Sequence, residues 1–390
     1  MTGNRAREWS LASGARAARD ARIATARHLR EAPIARLWHM TKLQRSYQIQ
    51  LAGTGDPRAA VALLYGGMGY EPPYPADWEA GAKMVVGDEA RYLAAADLYV
   101  LTPQMCDVVI AAAQTLTRAD LELASEDDMP GMTGLVVLPH PLIVRAVTGD
   151  LADVRAFTWR FPAVIPYLGR RGGAEAAAVR MSGYHDSYGP VRPDSFRDFA
   201  ARAAAQGTPL PPLLLDAIRC LPLQYAAAPE QIQALDEHVA TARSAGETAR
   251  QQAQALGAQE NRVVGEYTPG AEINDGDDTF MPRFLFAFWR LCQQRIAASD
   301  VMDASHSAQT AAGRAGVSPD VRIVRLRRSE PAEAQGGSRE WRHRWPVRMH
   351  KVNQWYPSLG RHKVLYRGPY LKGPADKPLI GGEPVWALVR

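Results

Sequence analysis

The residues of this chain whose types could do chemistry gather near its end. His350 and His362 stand on either side of a turn carrying Trp355 and Tyr356; the turn lies in the stretch Asn353-Gln354-Trp355-Tyr356-Pro357-Ser358-Leu359-Gly360-Arg361-His362-Lys363, which begins three residues after His350. Two imidazoles brought together as strand neighbours could share general acid and base work on an RNA backbone, because their unperturbed pKa lies near neutrality. Cross-strand histidines in a basic sheet are, however, more often hydrogen-bonded surface residues. The surroundings favour binding over catalysis: from Trp341 through Lys372 there are eight Lys or Arg, three His and no acidic residue. Arg344, Arg348, Lys351, Arg361, Lys363 and Arg367 offer charge to phosphate, while Gln354, Trp355 and Tyr356 can stack an unpaired base or clamp an extended peptide. Together with His350 and His362 they form the candidate contact set. The competing reading folds Trp355 and Tyr356 under the turn as a small core and leaves the arginines to keep an edge strand soluble.

Other chemistry-bearing motifs are weaker. Tyr184-His185-Asp186 holds a His-Asp pair, but a metal phosphohydrolase needs further ligands at helical spacing, and a surface turn is the expected setting. Asn274-Asp275-Gly276-Asp277-Asp278 lacks the spacing and closing Glu of a calcium loop, so it reads as a solvated loop capping the next helix. Glu126-Asp127-Asp128 pairs carboxylates with no nucleophile or base beside them and reads as a connecting loop. Gly66-Gly67-Met68-Gly69-Tyr70 lacks the Lys-Ser/Thr of a phosphate loop and reads as a turn. No metal or cofactor is expected.

The elements that must position these residues divide by period. Ala15 to Ile49 is helical, with Pro33 suited to the first turn of a second helix, and helices continue through Asp56–Tyr65, Asp77–Tyr99 and Pro103–Leu116 with Thr102 as cap. Gly134–Leu138, Leu142–Val147 and Val154–Phe161 are β-rich and suggest a small antiparallel meander. Pro229–Ala258 is a long polar helix, whereas Met281–Ala297 carries Phe284, Phe288, Leu291 and Ile296 on a broad apolar face that marks a buried one. Ser299–Ser318 is small and polar. Strands are expected at Val321–Arg328, Trp341–His350, His362–Arg367 and Val385–Val389, with Trp341 and Trp345 on a buried face. The expected fold class is α+β: a mainly helical N-terminal half with a small antiparallel sheet, and a C-terminal β-rich unit. The expected units are a basic helical arm (1–50), a mixed central domain (51–300), a linker or surface loop (301–320) and a basic β unit (321–390).

Charge is segregated along the chain. Residues 1–50 hold ten Lys or Arg against three acids and residues 321–372 thirteen against three, while residues 51–320 carry 21 basic and 33 acidic residues. Basic ends of this kind attract phosphate or acidic partners, or dock on their own acidic middle. Three cysteines, Cys106, Cys220 and Cys292, are widely spaced and odd in number, which supports neither a disulfide framework nor a cysteine zinc site and fits a reducing cytoplasm. No apolar run approaches the roughly 18 residues of a membrane helix, so no membrane partner is expected.

Four segments carry a family resemblance. They are Asp128–Leu138 (DMPGMTGLVVL), Pro282–Leu291 followed by Gln293-Gln294, Val321–Arg328, and Asn353–Ser358 followed by Gly368–Pro374 (GPYLKGP). Together they resemble an actinobacterial and phage-associated family similar to a type V-A anti-CRISPR protein that acts during translation of the CRISPR nuclease. The resemblance spans roughly residues 90–390, with its specific motifs concentrated in the last 110. It implies a non-enzymatic regulator that recognises the nascent peptide of a CRISPR nuclease and causes loss of its mRNA, with RNA or a ribosome-associated nascent peptide as partner. The alternatives are an RNA-processing or hydrolytic enzyme using His350 and His362, and a structural protein of a phage or mobile element.

Overall fold

The computed structural model describes residues 9–165, 176–192, 194–255, 257, 272–294, 297–327, 342–356, 361–374 and 377–379. Two helices open it, α1 (Leu11–Glu31) and α2 (Pro33–Thr54), followed by α3 (Pro57–Gly67) and α4 (Trp78–Ala95). Local chemistry explains their starts. Ser10 and Ser13 form a reciprocal capping box on α1, Pro33 occupies the first turn of α2, and Asp56 and Asp77 accept backbone N–H bonds at the heads of α3 and α4. Then come β1 (Asp97–Leu101), α5 (Pro103–Thr115), α6 (Arg118–Leu121), β2 (Thr133–Arg145), β3 (Leu151–Ile165), β4 (Ala176–Asp186), α7 (Asp194–Ala205), β5 (Leu213–Pro222) and α8 (Pro229–Ala255). The chain continues through β6 (Ile273–Asn274), α9 (Phe280–Cys292), β7 (Ala297–Met302), α10 (His306–Ala315) and β8 (Val321–Leu326), and then β9 (Trp345–Val347), β10 (His350–Tyr356), β11 (Arg361–Arg367) and β12 (Tyr370–Lys372).

Eight strands form one sheet in the order β5-β4-β3-β2-β1-β8-β7, with β6 alongside β2. β1 runs parallel to both β2 and β8, and α5 is the crossover from β1 to β2. The fold is therefore mixed α/β, and the expected α+β architecture with a small antiparallel sheet is corrected. The reason lies in Asp97–Leu101. A central parallel strand is buried on both faces and reads as an unbroken apolar run, so Leu98-Tyr99-Val100-Leu101 has no alternation to separate it from the helix before it.

Alternate residues of the central strands face different cores. Leu98, Val100, Leu135 and Val137 pack with Ala18 and Leu29 of α1, Leu93 of α4 and Ala312 of α10. Tyr99, Leu101, Val136 and Leu138 pack with Val108 and Val109 of α5 and with Phe284 and Phe288 of α9. Trp159 is fully buried at the middle of this second layer, with ring centroids 5.4 Å from Tyr99, 5.7 Å from Phe288 and 6.0 Å from Trp289. Burial of each such ring contributes on the order of 2–3 kcal/mol. The buried helix expected near Met281 is thus α9.

The expected domain limits cross continuous structure. The stretch 301–320 holds the end of β7 and all of α10, whose Ala312 and Ala315 are buried. β8 lies inside the main sheet next to β1 rather than in a separate C-terminal unit. The N-terminal arm is integral too: Arg22 on α1 is fully buried and donates to the Leu93 carbonyl at 3.0 and 2.7 Å, its pKa lowered to about 10 by burial. Among the described residues, no helix is long and apolar enough to cross a membrane.

Candidate functional site

The C-terminal basic region is built from two small ladders. β12 pairs antiparallel with β9, placing Lys372 opposite Trp345 and Leu371 opposite Pro346. β10 and β11 form a hairpin in which His350 lies opposite Arg367, Lys351 opposite Tyr366, Gln354 opposite Lys363, Trp355 opposite His362, and Tyr356 opposite Arg361. The stretch read as a turn is therefore mostly strand; its tip, Pro357–Gly360, lies outside the described residues, as do Trp341 and the strand expected at Val385–Val389. Among the described residues of the expected strand Trp341–His350, β9 covers three, with Trp345 half-buried; Arg344 forms an isolated bridge to Leu379, and His350 opens β10.

This register corrects the histidine pair. His362 faces Trp355, five strand positions from His350, a separation of about 16 Å at the usual rise per residue. An odd number of steps also puts the two positions on opposite faces of the ribbon. His350 Nδ1 lies 3.0 Å from the Arg348 carbonyl, and its ring is 6.1 Å from that of Tyr370. The same register divides the remaining hairpin candidates: the positions of Gln354, Tyr356, Arg361, Lys363 and Arg367 share the face of His350, and those of Lys351 and Trp355 the face of His362. Arg348, His350, Lys351 and Arg367 are exposed, and Trp355 retains 47% of its surface in solvent. Arg344 is half-buried, with its Nε donating to the Lys377 carbonyl at 2.7 Å. Gln354, Tyr356, Arg361, His362 and Lys363 are placed by the backbone register.

Arg344 also belongs to a cleft of about 830 Å³ that sequence reasoning missed. The cleft opens where the parallel strands β1 and β8 end, the position at which open α/β sheets take ligands. The Thr102 amide donates to the Val324 carbonyl at 3.1 Å, tying the two strand ends together, and the Thr102 hydroxyl accepts from Met105 N at the head of α5. Gln104 and Pro103 of α5, Asp300 of β7 and Arg325 and Arg327 from the end of β8 line the walls, with Trp9 and Leu11 at one side. Asp300 Oδ2 accepts from Arg325 Nε at 2.6 Å. Three arginines, Arg325, Arg327 and Arg344, beside the positive end of the α5 dipole make this cleft suited to an anionic group. Its elements are far apart in sequence, so no local motif announces it. Recognition of β1 as a parallel strand would have done so.

The weaker motifs resolve as structure. Tyr184 and His185 are not in a loop but near the end of β4: the Tyr184 hydroxyl donates to Glu89 at 2.8 Å, and His185 Nε2 lies 3.0 Å from Asp216. Glu89, fully buried, also accepts from Ser182 at 2.9 Å and Arg180 at 3.2 Å, while Arg180 reaches the Met68 carbonyl and the Tyr70 hydroxyl. The glycine-rich turn is thus a carbonyl shelf for Arg180. Glu89 had a legible signal, since it sits on the same helical stripe as Val85, Val86 and Leu93. Asp275 caps α9 as expected, accepting from Thr279 N and Phe280 N at 2.9 Å each, with burial pushing its pKa up to about 6. Burial likewise raises the thiols of Cys106, Cys220 and Cys292, the latter two to about 11 and about 12, so they are protonated at neutral pH. Among the described residues no group of three or more His, Cys, Asp or Glu could hold a metal ion. The chain matches no family model, no curated protein and no solved structure.

Proposed function

We propose that this chain is a regulatory binding protein that engages a ribonucleoprotein through the basic hairpin β10–β11 and the neighbouring cleft. The observation that supports this reading is the position of Arg344: it lines the cleft with Arg325 and Arg327 and lies six residues before the hairpin, so a short stretch of chain links the two positive features. Phosphates of an unpaired strand supply the anionic groups, and exposed Trp355 supplies a stacking surface. The two basic ends divide their labour. Lys42 pairs with Asp216 and Arg45 with Asp150, docking the N-terminal end on the acidic middle, whereas the described hydrogen bonds of the Arg344 and His350 side chains involve backbone carbonyls. The family resemblance supplies the finer reading, in which the target is the nascent peptide and mRNA of a CRISPR nuclease.

Binding of a fluorescent single-stranded RNA at two salt concentrations tests the first part. A contact with about four phosphates weakens roughly 50-fold between 50 and 200 mM salt. Absence of RNA binding, or binding indifferent to salt and to the double change Arg327→Glu and Arg348→Glu, overturns it. The finer part is tested by co-expression with a type V nuclease reporter: loss of reporter mRNA that depends on the first translated codons is expected, and unchanged mRNA overturns it.

A further inference from the structure

A second cavity, unrelated to the basic face, lies between the N-terminal helices and the outer end of the sheet. Residues of α1, α2, α7 and β5 enclose about 170 Å³, with Leu29, Ala35, Trp38, Phe196, Leu213 and His39 among the walls. Its lining is almost wholly apolar. The Trp38 indole is fixed by donation from Nε1 to the Leu215 carbonyl at 3.1 Å and meets Phe196 edge-on at 6.3 Å between centroids. Its rim reaches solvent at Ile34 and Phe199, which are 38% and 41% exposed. Cavities of this size with aliphatic and aromatic walls stay dry and accept single-ring ligands such as benzene.

One wall residue is out of keeping with that lining. His39 is 97% buried, and neither ring nitrogen has a hydrogen-bond partner among the described residues. Such orphans are rare in folded proteins and call for an explanation. Asp216, the nearby carboxylate, is already engaged by Lys42 and His185. Burial, with Lys42 and Arg180 nearby, lowers the His39 pKa to about 4. The imidazole is therefore neutral near pH 7, with one donor and one acceptor nitrogen. Half-buried His28 is the other imidazole of the lining.

We infer that this cavity is a binding site for a small single-ring aromatic molecule bearing one hydroxyl group, the phenol class, with His39 as the hydrogen-bond partner of that hydroxyl. The volume sets the size, the Trp38 and Phe196 rings favour an aromatic body, and the orphaned imidazole selects one polar substituent. A site built to hydrogen-bond a hydroxyl discriminates against the analogue that lacks it, because the buried polar group is then left unpaired.

Phenol and toluene, added separately to the full chain, separate this proposal from simple cavity filling. Phenol is expected to bind at least tenfold more tightly than toluene by calorimetry, and to shift the His39 ring nitrogen resonances in ¹⁵N-histidine spectra. His39→Leu is expected to abolish or reverse that preference, because the phenol hydroxyl is then buried without a partner. Equal affinities in the unaltered protein, no binding of either, or His39 resonances unmoved by phenol would each overturn the proposal, and the spectra do so without relying on the variant to fold.

Discussion

Arg290 Nη1 donates to Asp128 Oδ1 at 2.8 Å, joining the last turn of α9 to the head of the segment that leads into β2. The same guanidinium donates from Nε to the Gly368 carbonyl at 3.3 Å, and Gln294 donates to the Pro369 carbonyl at 2.8 Å, while Gln293 reaches the Asp127 carbonyl. Three stretches far apart in the chain, around Asp128, at the end of α9 and around Gly368, thus meet at one junction. The end of α9 clamps the chain before β2 on one side and the start of β12 on the other. Asp128 is 6% exposed in its side chain and Arg290 25%. Arg290→Met is expected to cost about 2 kcal/mol, below the range for a fully buried pair because Arg290 keeps partial contact with solvent. Urea unfolding measures the loss, and hydrogen exchange should rise first at residues 368–372.

How much of this was legible in the sequence follows from the range of each interaction. α9 could be read because its burial is encoded locally, in aromatic residues recurring around one helix, and the Asp275 cap because capping acts over four or five residues. The fold class could not, because β1 declares itself only beside β2 and β8, and β8 is more than 200 residues away in the chain. The histidine pair failed for a related reason. Hairpin register depends on turn length, and with Gln354 opposite Lys363 the His350 position falls opposite Arg367 rather than His362. The cleft and the Glu89 network likewise assemble from distant elements, although a carboxylate on the apolar stripe of α4 marked one end of the network.

Gly134 is a position where a side chain has no room. A Cβ there would lie 2.1 Å from the Trp159 ring, which is fully buried and held by its indole donating to the Gly131 carbonyl at 2.9 Å. Neither the ring nor the central strand can move without disturbing the aromatic layer under α9. Gly134→Ala is expected to destabilise by about 3 kcal/mol, the upper part of the overpacking range. Lowered denaturation midpoint with altered tryptophan fluorescence is the expected signature.

Asp275 and His39 give the stability curve two opposing slopes. The Asp275 pKa is raised from 3.8 to about 6, so the folded state holds its proton more tightly than the unfolded chain. Its contribution is complete below the unfolded value and is lost as pH rises through about 6, a change of about 3 kcal/mol. The His39 pKa, lowered by burial and by Lys42 and Arg180 and opposed by Asp216, falls from 6.5 to about 4. Its contribution is present above 6.5 and is lost as pH falls through about 4, again about 3 kcal/mol. Between pH 4 and 6 the slopes largely cancel. Asp275→Asn, whose amide oxygen can still cap α9, should therefore unmask a stability that falls with acid, and His39→Leu one that falls as pH rises. Urea midpoints at pH 4.5, 5.5 and 6.5 for the three proteins check both signs.

Trp355 and Arg327 separate two contributions to strand binding. In the proposed RNA-binding reading, Trp355, 47% exposed on β10, contributes by stacking, which is insensitive to salt. In the same reading Arg327, exposed at the end of β8 and lining the cleft, contributes through phosphate contact and hence counterion release. Trp355→Ala is expected to weaken single-stranded RNA binding by about 2 kcal/mol, roughly thirtyfold, at every salt concentration, leaving the slope of log affinity against log salt unchanged. Arg327→Glu should reduce the magnitude of that slope by about one, with its largest effect at low salt. Identical salt slopes for the two variants would show that the cleft and the hairpin do not share one nucleic-acid strand.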